Sequence, residues 1–358
     1  MPDIYWTAHS THPVSAVAVG EIAGQILESI GAQPDLAAVF VTAGHAGALE
    51  DIGAAIETLL APKVLLGAAA AGVIAGPVEV ENGPGIALLA AKSARAGNGA
   101  WVRPLRIPPQ HDPPMLTRAV LLGTRRGTPK GWTSTSAALG DGPDGGTCAG
   151  GVVSGPLLLD GAIYDDGVIG ATLNHNFAAA AASGCVPFGP TLRVTAAEDN
   201  RLVELDGRPA LSELRRVASD FVASGDLELV KTHLHVAFQP AGIYRRVARV
   251  EHSGALVLRA TGRIEVGALV SFAYGDPLTA ANELDELAHT ETCAAALAFV
   301  SADRGRRFFG THHHDALTLS ESLTPDTLGC FTDLEFTTSL SSLRATAQSA
   351  ALGLFGAD

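Results

Sequence analysis

Apolar residues recur with helical spacing in four segments of this chain. Between residues 13 and 30 they follow the i, i+3, i+4 pattern of an amphipathic helix, with Pro13 suited to the first turn and Gly31 to the C-terminal end. The same pattern predicts helices over residues 49–60, over residues 210–222 and onward from Asp276-Pro277. Each helix has an apolar face, so we expect the helices to flank a sheet.

Short apolar runs between the helices predict buried strands, and their order repeats. The strand at 38–41 corresponds to a strand at 119–122. Likewise, Gly-Val-Ile-Ala-Gly-Pro at 72–77 corresponds to Gly-Val-Val-Ser-Gly-Pro at 151–156. These matches indicate an internal repeat of about 80 residues.

A third, more diverged copy is visible near the end of the chain. It runs from a strand at 297–301 through a helix to a strand at 334–336. Each copy closes with a further apolar strand, at 86–89, 168–173 and 350–355. Similar units usually pack about a pseudo-symmetry axis. The sequence therefore predicts an α+β fold of layered mixed sheets flanked by helices, built from repeated strand-helix-strand-strand units.

The remaining pattern predicts further strands and one long loop. The additional strands are expected at 229–238, 247–250, 256–258 and 269–272. Residues 125–150 are rich in Gly, Ser, Thr and Pro, which is typical of a mobile loop. Such a loop either covers a site or is disordered.

A rigid turn is predicted near the middle of the chain. Residues 184–190, Gly-Cys-Val-Pro-Phe-Gly-Pro, combine two prolines, which fix φ, with two glycines, which permit positive φ. The turn leads into a strand at 191–195, and a second strand follows a turn at 198–200. The pair Asp206-Gly207 then opens the next helix.

This segment resembles the junction of a known family. After the Ala-rich residues 178–182 it reads GCVPFGP…VT…N…ELDGRPAL, which is similar to the junction between the two halves of FIST-domain proteins. The resemblance covers most of the chain. It implies a FIST N-like half with two repeats over residues 1–200 and a FIST C-like half with the third repeat over residues 201–358. The family is a sensory module of signalling proteins, which implies binding of a small ligand such as an amino acid.

The charge balance argues against nucleic-acid and membrane partners. The net charge is −13, and phosphate neutralisation requires clustered basic residues. We interpret the scattered arginine pairs as solvated edges; they lie at 125–126, 215–216, 245–246 and 306–307. A hydrophobic content of 47% against 17% charged residues supplies material for a large core and argues against disorder.

Cysteine usage and the N-terminal residues predict a soluble, cytoplasmic protein. The 4 cysteines are far apart and form no Cys-x-x-Cys pair, so neither a zinc ribbon nor a disulfide scaffold is expected. The first residues lack a basic segment followed by an apolar one, and there is no apolar run of about 18 residues. No cofactor is predicted.

Glycine-rich turns of the repeats are the first candidate ligand site. Their backbone N–H groups could bind a carboxylate or another anion, and the candidates are Gly67, Gly72, Gly151 and Gly329. Close backbone packing at a strand crossing is the alternative. The family tends to carry Gly-Cys-Ser near the first turn, whereas this chain has Ala68 after Gly67, so a thiol role is absent there.

Arg304 and Glu335 are the candidate pair for an amino-acid ligand. Residues 301–305, Ser-Ala-Asp-Arg-Gly, resemble the family's Cys-x-x-Arg-Gly with Ser301 in place of cysteine. Arg304 could clamp a ligand carboxylate with its guanidinium, or form an exposed salt bridge. Glu335 resembles the acidic residue of a Gly-Glu-Ile motif, with Leu334 in place of the glycine, and would suit the ligand's ammonium group.

Other polar residues leave binding and enzymatic alternatives open. Asn174 and His175 either line a pocket or form a turn. If the protein is an enzyme, the candidate nucleophiles are Cys185 and Cys330, each of which follows a glycine; inert buried thiols are the alternative. Two residues apart on a predicted strand, His233 and His235 could bind a metal ion or form a hydrogen-bonded polar face.

The preferred hypothesis is a stand-alone sensory protein that binds a small ligand. Its output would pass through a signalling partner, because the sequence shows no kinase, methyl-accepting, DNA-binding or F-box segment. One alternative is a hydrolase, either a cysteine amidase or a metal-dependent enzyme. Another is a protein-recognition module, since FIST-like regions also occur in eukaryotic ubiquitin-ligase adaptors.

Overall fold

The structure is a computed structural model with six α-helices in its described residues. It describes residues 3–93, 102–108, 118–124, 146–174, 177–222, 233–239, 243–259, 263–339, 342–346 and 348–356. The helices are α1 (Ser15–Ser29), α2 (Leu49–Leu60), α3 (Ala210–Val222), α4 (Pro277–Thr290), α5 (Arg306–Phe309) and α6 (His314–Ser322), with a 3₁₀ helix at Ala43–Ala48. All four predicted helices are confirmed.

Three units of six strands share one plan within the described chain. The first unit comprises β1 (Ile4–Ser10), β2 (Leu36–Val41), β3 (Val64–Ala69), β4 (Val73–Ala75), β5 (Val78–Val80) and β6 (Ile86–Lys92). The second comprises β7 (Val102–Ile107), β8 (Arg118–Thr124), β9 (Thr147–Val153), β10 (Leu157–Leu159), β11 (Ala162–Tyr164) and β12 (Val168–Leu173). The third comprises β13 (Phe177–Ala182) and, after a long insertion, β21 (Ala295–Ser301), β22 (Thr327–Thr332), β23 (Leu334–Ser339), β24 (Ser342–Thr346) and β25 (Ala350–Phe355).

Each six-stranded sheet is completed by a hairpin from another unit. The first sheet has the order β1-β6-β2-β3 and then takes β10-β11 from the second unit. The second sheet, β7-β12-β8-β9, takes β23-β24 from the third unit, and the third sheet, β13-β25-β21-β22, takes β4-β5 from the first. The hairpins are thus exchanged cyclically, so the three units interlock.

Equivalent hydrogen bonds confirm that the three units are copies of one structure. In each sheet the two inner strands, β2/β3, β8/β9 and β21/β22, are parallel. At the end of β2 the Thr42 N–H donates to the Gly85 carbonyl at 2.9 Å, and at the end of β21 the Ser301 N–H donates to the Ser349 carbonyl at 2.9 Å. The corresponding bond of Thr124 is 3.2 Å long. The predicted repeat and its closing strands are therefore present.

The predicted match between the two Gly-Pro segments is wrong in detail. Residues 72–77 span β4 and its hairpin turn, whereas residues 151–156 begin inside β9. The register instead places Gly67, Gly150 and Gly329 at equivalent positions, each opposite the preceding parallel strand. The two segments have similar sequences, but they belong to different elements of the repeated unit.

A closed sheet is inserted into the third unit. It comprises β14 (Cys185–Glu198), β15 (Arg201–Leu205), β16 (Arg208–Pro209), β17 (Leu234–Gln239), β18 (Ile243–Val250), β19 (Leu256–Leu258) and β20 (Leu269–Gly275). Their order is β14-β20-β17-β18-β19-β15-β16, and β14 also pairs with β15, so six strands close into a ring.

The insertion separates an edge strand from its helix. In the first unit β1 leads directly into α1, but in the third unit the chain leaves β13, builds the closed sheet and returns to α4. The Asp276 N–H donates to the Gly184 carbonyl at 2.8 Å, which brings the two ends of the insertion together. Residue 200, the boundary expected between the two halves, lies in the turn between β14 and β15.

The rigid turn predicted at 184–190 is instead the start of the long strand β14. Its register against β20 shifts between Phe188 and Leu192, and Gly189 takes a φ of +73° there. A bulge of this kind bends a strand. The bend allows β14 to pair with β20 along its first part and with β15 along its second. The prolines and glycines that predicted a turn therefore mark a β-bulge.

The core lies between and around the three sheets. Phe40 of the first sheet and Phe299 of the third meet edge to face, with ring centroids 6.2 Å apart. Helices α1 and α2 cover the other face of the first sheet with residues such as Ile22 and Ile52, both at most 1% exposed. Strands buried on both faces read as continuous apolar runs, which is why the sequence signalled them clearly.

Two predictions fall wholly or partly outside the described residues. The loop expected at 125–150 overlaps β9 at its C-terminal end, and residues 125–145 lie outside the described part of the chain. The strand expected at 229–238 begins at Leu234 in the structure, and residues 229–232 likewise lie outside it.

Replacing Gly67 by alanine tests the close packing of the parallel strands. A Cβ at Gly67 would collide with the carbonyl oxygen of Val39 on β2, so we expect Gly67→Ala to lower the free energy of unfolding by about 1–3 kcal/mol. Gly20→Ala in α1 is the control, because a Cβ there meets no atom within 4 Å; it should be neutral or stabilise by about 0.5–1 kcal/mol. Urea unfolding measures both, and an unaffected Gly67→Ala protein would contradict the packing.

Candidate functional site

A pocket lies where the closed sheet meets the third unit. It encloses about 250 Å³ and is lined by His233, Arg246, Arg259, Ala302, Asp303, Arg304 and Arg307. The first three residues belong to the closed sheet or its connections, and the other four lie on α5 or on the segment that joins β21 to α5. Four arginines and one acid make this pocket strongly cationic.

The segment between β21 and α5 forms a tight turn that sets the pocket's shape. The Arg304 N–H donates to the Ser301 carbonyl at 2.9 Å. Gly305 then takes a φ of +85°, a left-handed conformation that favours glycine, directly before α5. This backbone path turns Arg304 into the interior and leaves Asp303 at the pocket wall.

The first unit's hairpin holds the same region from the opposite side. The Glu81 carboxylate accepts a hydrogen bond from the Arg306 N–H at 2.9 Å, and Glu79 accepts one from the Ala316 N–H at 3.0 Å. Burial, reinforced by the charge of Asp315, raises the pKa of Glu79 to about 7. The exchanged hairpin β4-β5 thereby contacts both helices that border the pocket segment.

Arg304 is fully enclosed and paired with an acid. Its Nε and Nη2 donate to the two carboxylate oxygens of Asp315 at 2.6 and 2.9 Å, and both side chains are 0% exposed. Its other N–H groups donate to the carbonyls of Ser183, Gln348 and Ala280 at 3.3–3.4 Å. Although burial opposes ionisation of a carboxyl group, the guanidinium holds the pKa of Asp315 below its usual range.

The guanidinium of Arg304 therefore faces an internal carboxylate. The ion pair is buried, in contrast to the exposed salt bridge considered from the sequence. Removing one partner of such a pair typically costs about 3–5 kcal/mol, because the other charge is left alone in the interior. Arg304 lines the pocket while it joins α4, α6 and the start of the insertion.

Asp303 joins the third unit to the closed sheet. Its carboxylate accepts a hydrogen bond from Arg259 Nη1 at 3.1 Å and forms an ion pair with Arg246. Arg307 is exposed and makes no ion pair with any described residue. Burial, together with the like charges of Arg259 and Arg307, lowers the pKa of Arg246 to about 10. Positive charge thus exceeds negative charge in the pocket.

Glu335 is buried away from the pocket lining. It is 0% exposed, and its carboxyl oxygens accept hydrogen bonds from Thr332 Oγ1 at 2.8 Å and Ser349 Oγ at 3.0 Å. Burial raises the pKa of Glu335 to about 8, although the hydrogen bonds from Thr332 and Ser349 and then the charge of Arg304 lower it in part. Glu335 consequently holds its proton at neutral pH, whereas pairing with a ligand ammonium requires the ionised form.

Both candidate nucleophiles lie in an environment that disfavours the reactive thiolate. Cys185 and Cys330 are buried, and burial raises the pKa of each thiol far above its ordinary value. A nucleophilic cysteine requires the opposite shift. The structure thus matches the alternative of buried structural thiols.

The two histidines have different surroundings. His235 on β17 is 0% exposed, and burial lowers its pKa to about 3. His233 precedes the strand, lines the pocket and packs edge to face on Phe308, with ring centroids 5.0 Å apart. Burial and then the charges of Arg246 and Arg307 lower the pKa of His233, so it is neutral at pH 7.

The remaining sequence candidates lie elsewhere. Gly67, Gly151 and Gly329 sit inside β3, β9 and β22, where neighbouring atoms leave no room for a Cβ. Gly72 approaches Phe331 and the Val80 carbonyl in the same way. Asn174 follows β12, and His175 lies outside the described residues.

Sequence reasoning missed three of the arginines that line the pocket. The pairs at 245–246 and 306–307 were interpreted as solvated edges, but successive residues on a strand face opposite sides. Arg245 stacks on Phe238 with its guanidinium 4.9 Å from the ring centroid, while Arg246 enters the pocket. The acid that pairs with Arg246, Asp303, belongs to a distant segment of the chain, so no local sequence pattern linked the two.

Comparison with known proteins finds a matching family model and similar proteins of mycobacteria. The model of the FIST N domain matches residues 35–208. The uncharacterized protein MT0656 of Mycobacterium tuberculosis is 29% identical over 357 residues, covering 88% of this chain and 89% of that protein. The uncharacterized protein Mb0898c of Mycobacterium bovis is also 29% identical, covering 87% of this chain and 88% of its own length.

The chain is an α+β protein that is similar to the FIST-domain family. The match to the FIST N domain ends at β16 inside the closed sheet. Among the helices of the described residues, none combines the length and apolar character needed to cross a bilayer.

The pH dependence of stability tests the buried state of Glu335. Its pKa is raised from 4.5 to about 8 in the folded protein, so between these values the folded state holds a proton that the unfolded state has released. The free energy of unfolding should therefore fall as the pH rises from 5 to 8, by up to about 1.4 kcal/mol per pH unit from this group.

Urea unfolding of Glu335→Gln at several pH values measures this contribution. We expect a shallower slope than in the wild type, because glutamine does not titrate. Glu286→Gln, on the exposed face of α4, is the matched control and should keep the wild-type slope. Identical slopes for all three proteins would show that Glu335 is not a buried protonated acid.

Proposed function

We propose that this chain is a cytoplasmic sensory protein that binds a small carboxylate-bearing ligand, such as an amino acid, in the arginine-lined pocket. Its signal passes to a partner protein. The observation that carries the proposal is the convergence of Arg246, Arg259 and Arg307 on one cavity with a single acid, Asp303. Guanidinium groups present planar pairs of donors that match a carboxylate.

The position of the pocket supports a sensory role. It lies between two structures, the closed sheet and the third unit, which are joined there by ion pairs of Asp303. A ligand anion that contacts arginines from both sides would compete with Asp303 and change how the two structures contact each other. Differential binding of this kind shifts a conformational equilibrium, which a partner protein can read.

The similarity to the FIST N domain, a domain that suggests a sensory module, agrees with this reading, as does the environment of the thiols. The described cysteines form no disulfide with one another, which suits a reducing compartment. Burial raises the pKa of Cys185 and Cys330 and so opposes the amidase alternative. Binding is therefore the function that we favour over hydrolysis.

Substitution of Arg307 provides the test. Arg307 is exposed and unpaired among the described residues, so Arg307→Gln should leave the unfolding free energy unchanged while it weakens ligand binding. A charged hydrogen bond contributes about 1.5–3 kcal/mol, so the affinity should fall about 10- to 100-fold. Arg306→Gln is the matched control, because Arg306 is equally exposed and does not line the pocket.

The measurement is a thermal-shift screen of amino acids and small carboxylates, followed by calorimetric titration of those that stabilise the protein. A ligand at about 100 times its Kd should stabilise the wild type and Arg306→Gln by about 2.7 kcal/mol. The proposal fails if no compound stabilises the wild type, or if Arg307→Gln binds the stabilising compound as tightly as Arg306→Gln does.

A further inference from the structure

Positive and negative charges do not balance among the described residues that line the pocket. Arg304 is neutralised by Asp315, and the low pKa of His233 leaves that ring neutral, so neither contributes net charge. Among the described residues that line the pocket, three cations remain, Arg246, Arg259 and Arg307, and Asp303 is the acid. The described lining residues therefore carry a net charge of about +2, in a region that is partly shielded from water.

Like charges held together in a shielded site repel one another, and a bound anion relieves this repulsion. Asp303 already neutralises part of the positive charge, because Arg246 and Arg259 both form ion pairs with it. Arg307, on α5 of the third unit, has no acid partner among the described residues. A single carboxylate would neutralise only half of the excess charge.

We infer that the ligand carries two negative charges, as a dicarboxylate or a phosphate monoester does. This inference rests on the proposed function, since it specifies the ligand class of the same pocket. One acidic group would meet the arginines of the closed sheet, Arg246 and Arg259, and the second would meet Arg307 of the third unit. The cavity of about 250 Å³ restricts the ligand to a small molecule, because sites for drug-sized ligands span about 300–1,000 Å³.

The two acidic groups would also connect the two structures. Asp303 of the third unit pairs with Arg246 of the closed sheet, and it supplies one carboxylate to this contact. A ligand with two acidic groups can engage arginines on both walls at once, whereas a monoanion engages one wall and leaves the other uncompensated. The second charge is therefore the feature that distinguishes a ligand of this pocket.

Calorimetric titration with succinate and with its monoamide, succinamate, tests the inference. The two compounds are nearly isosteric and differ by one negative charge. At pH 8 and low salt we expect succinate to bind the wild type at least 10-fold more tightly than succinamate does. In Arg307→Gln the preference should disappear, while Arg306→Gln should retain it.

Methyl phosphate, a dianion at pH 8, distinguishes the two sources of charge. Binding of succinate alone assigns a dicarboxylate, and tighter binding of methyl phosphate assigns a phosphate monoester. If succinamate or a neutral amino acid binds as tightly as both dianions, in an Arg307-dependent manner, the dianion inference is overturned and the proposed function survives. If none of these compounds binds, both fail.

Discussion

The buried ion pair between Arg304 and Asp315 is the interaction on which the site depends. A guanidinium without any exposure cannot remain in a protein interior unless a carboxylate and further acceptors surround it. Asp315 and three backbone carbonyls meet this demand, and they come from four separate segments of the third unit and its insertion. The pair thereby fixes the turn that presents Asp303 and Arg307 to the pocket.

The same turn occurs in the first unit with a different residue. There the His45 N–H donates to the Thr42 carbonyl at 2.9 Å, which reproduces the Arg304 to Ser301 bond, so His45 occupies the position equivalent to Arg304. The closed sheet is inserted in the third unit, and arginines from it face this turn. A repeated scaffold thus acquires a cationic pocket where one copy carries both the arginine and the insertion. The cyclic exchange of hairpins anchors this copy to the other two.

Much of the scaffold could be predicted from the sequence, because strands buried on both faces and helices with one apolar face leave clear local patterns. The hairpin exchange could not, since β4-β5 pairs with β22 across more than two hundred residues and no local pattern records that pairing. The proline-glycine segment signalled a turn, yet tertiary pairing with β20 made it a bulged strand. Arg304 was identified from the sequence, but its partner Asp315, on α6, was not. The arginines of the closed sheet were missed because their acid, Asp303, lies on a distant element.

A crystal structure with bound succinate would test the account most directly. We expect the ligand to lie between the arginines of the closed sheet and Arg307, with the Arg304 to Asp315 ion pair unchanged. A ligand held by Arg304 after its separation from Asp315, or a ligand bound outside this pocket, would contradict it.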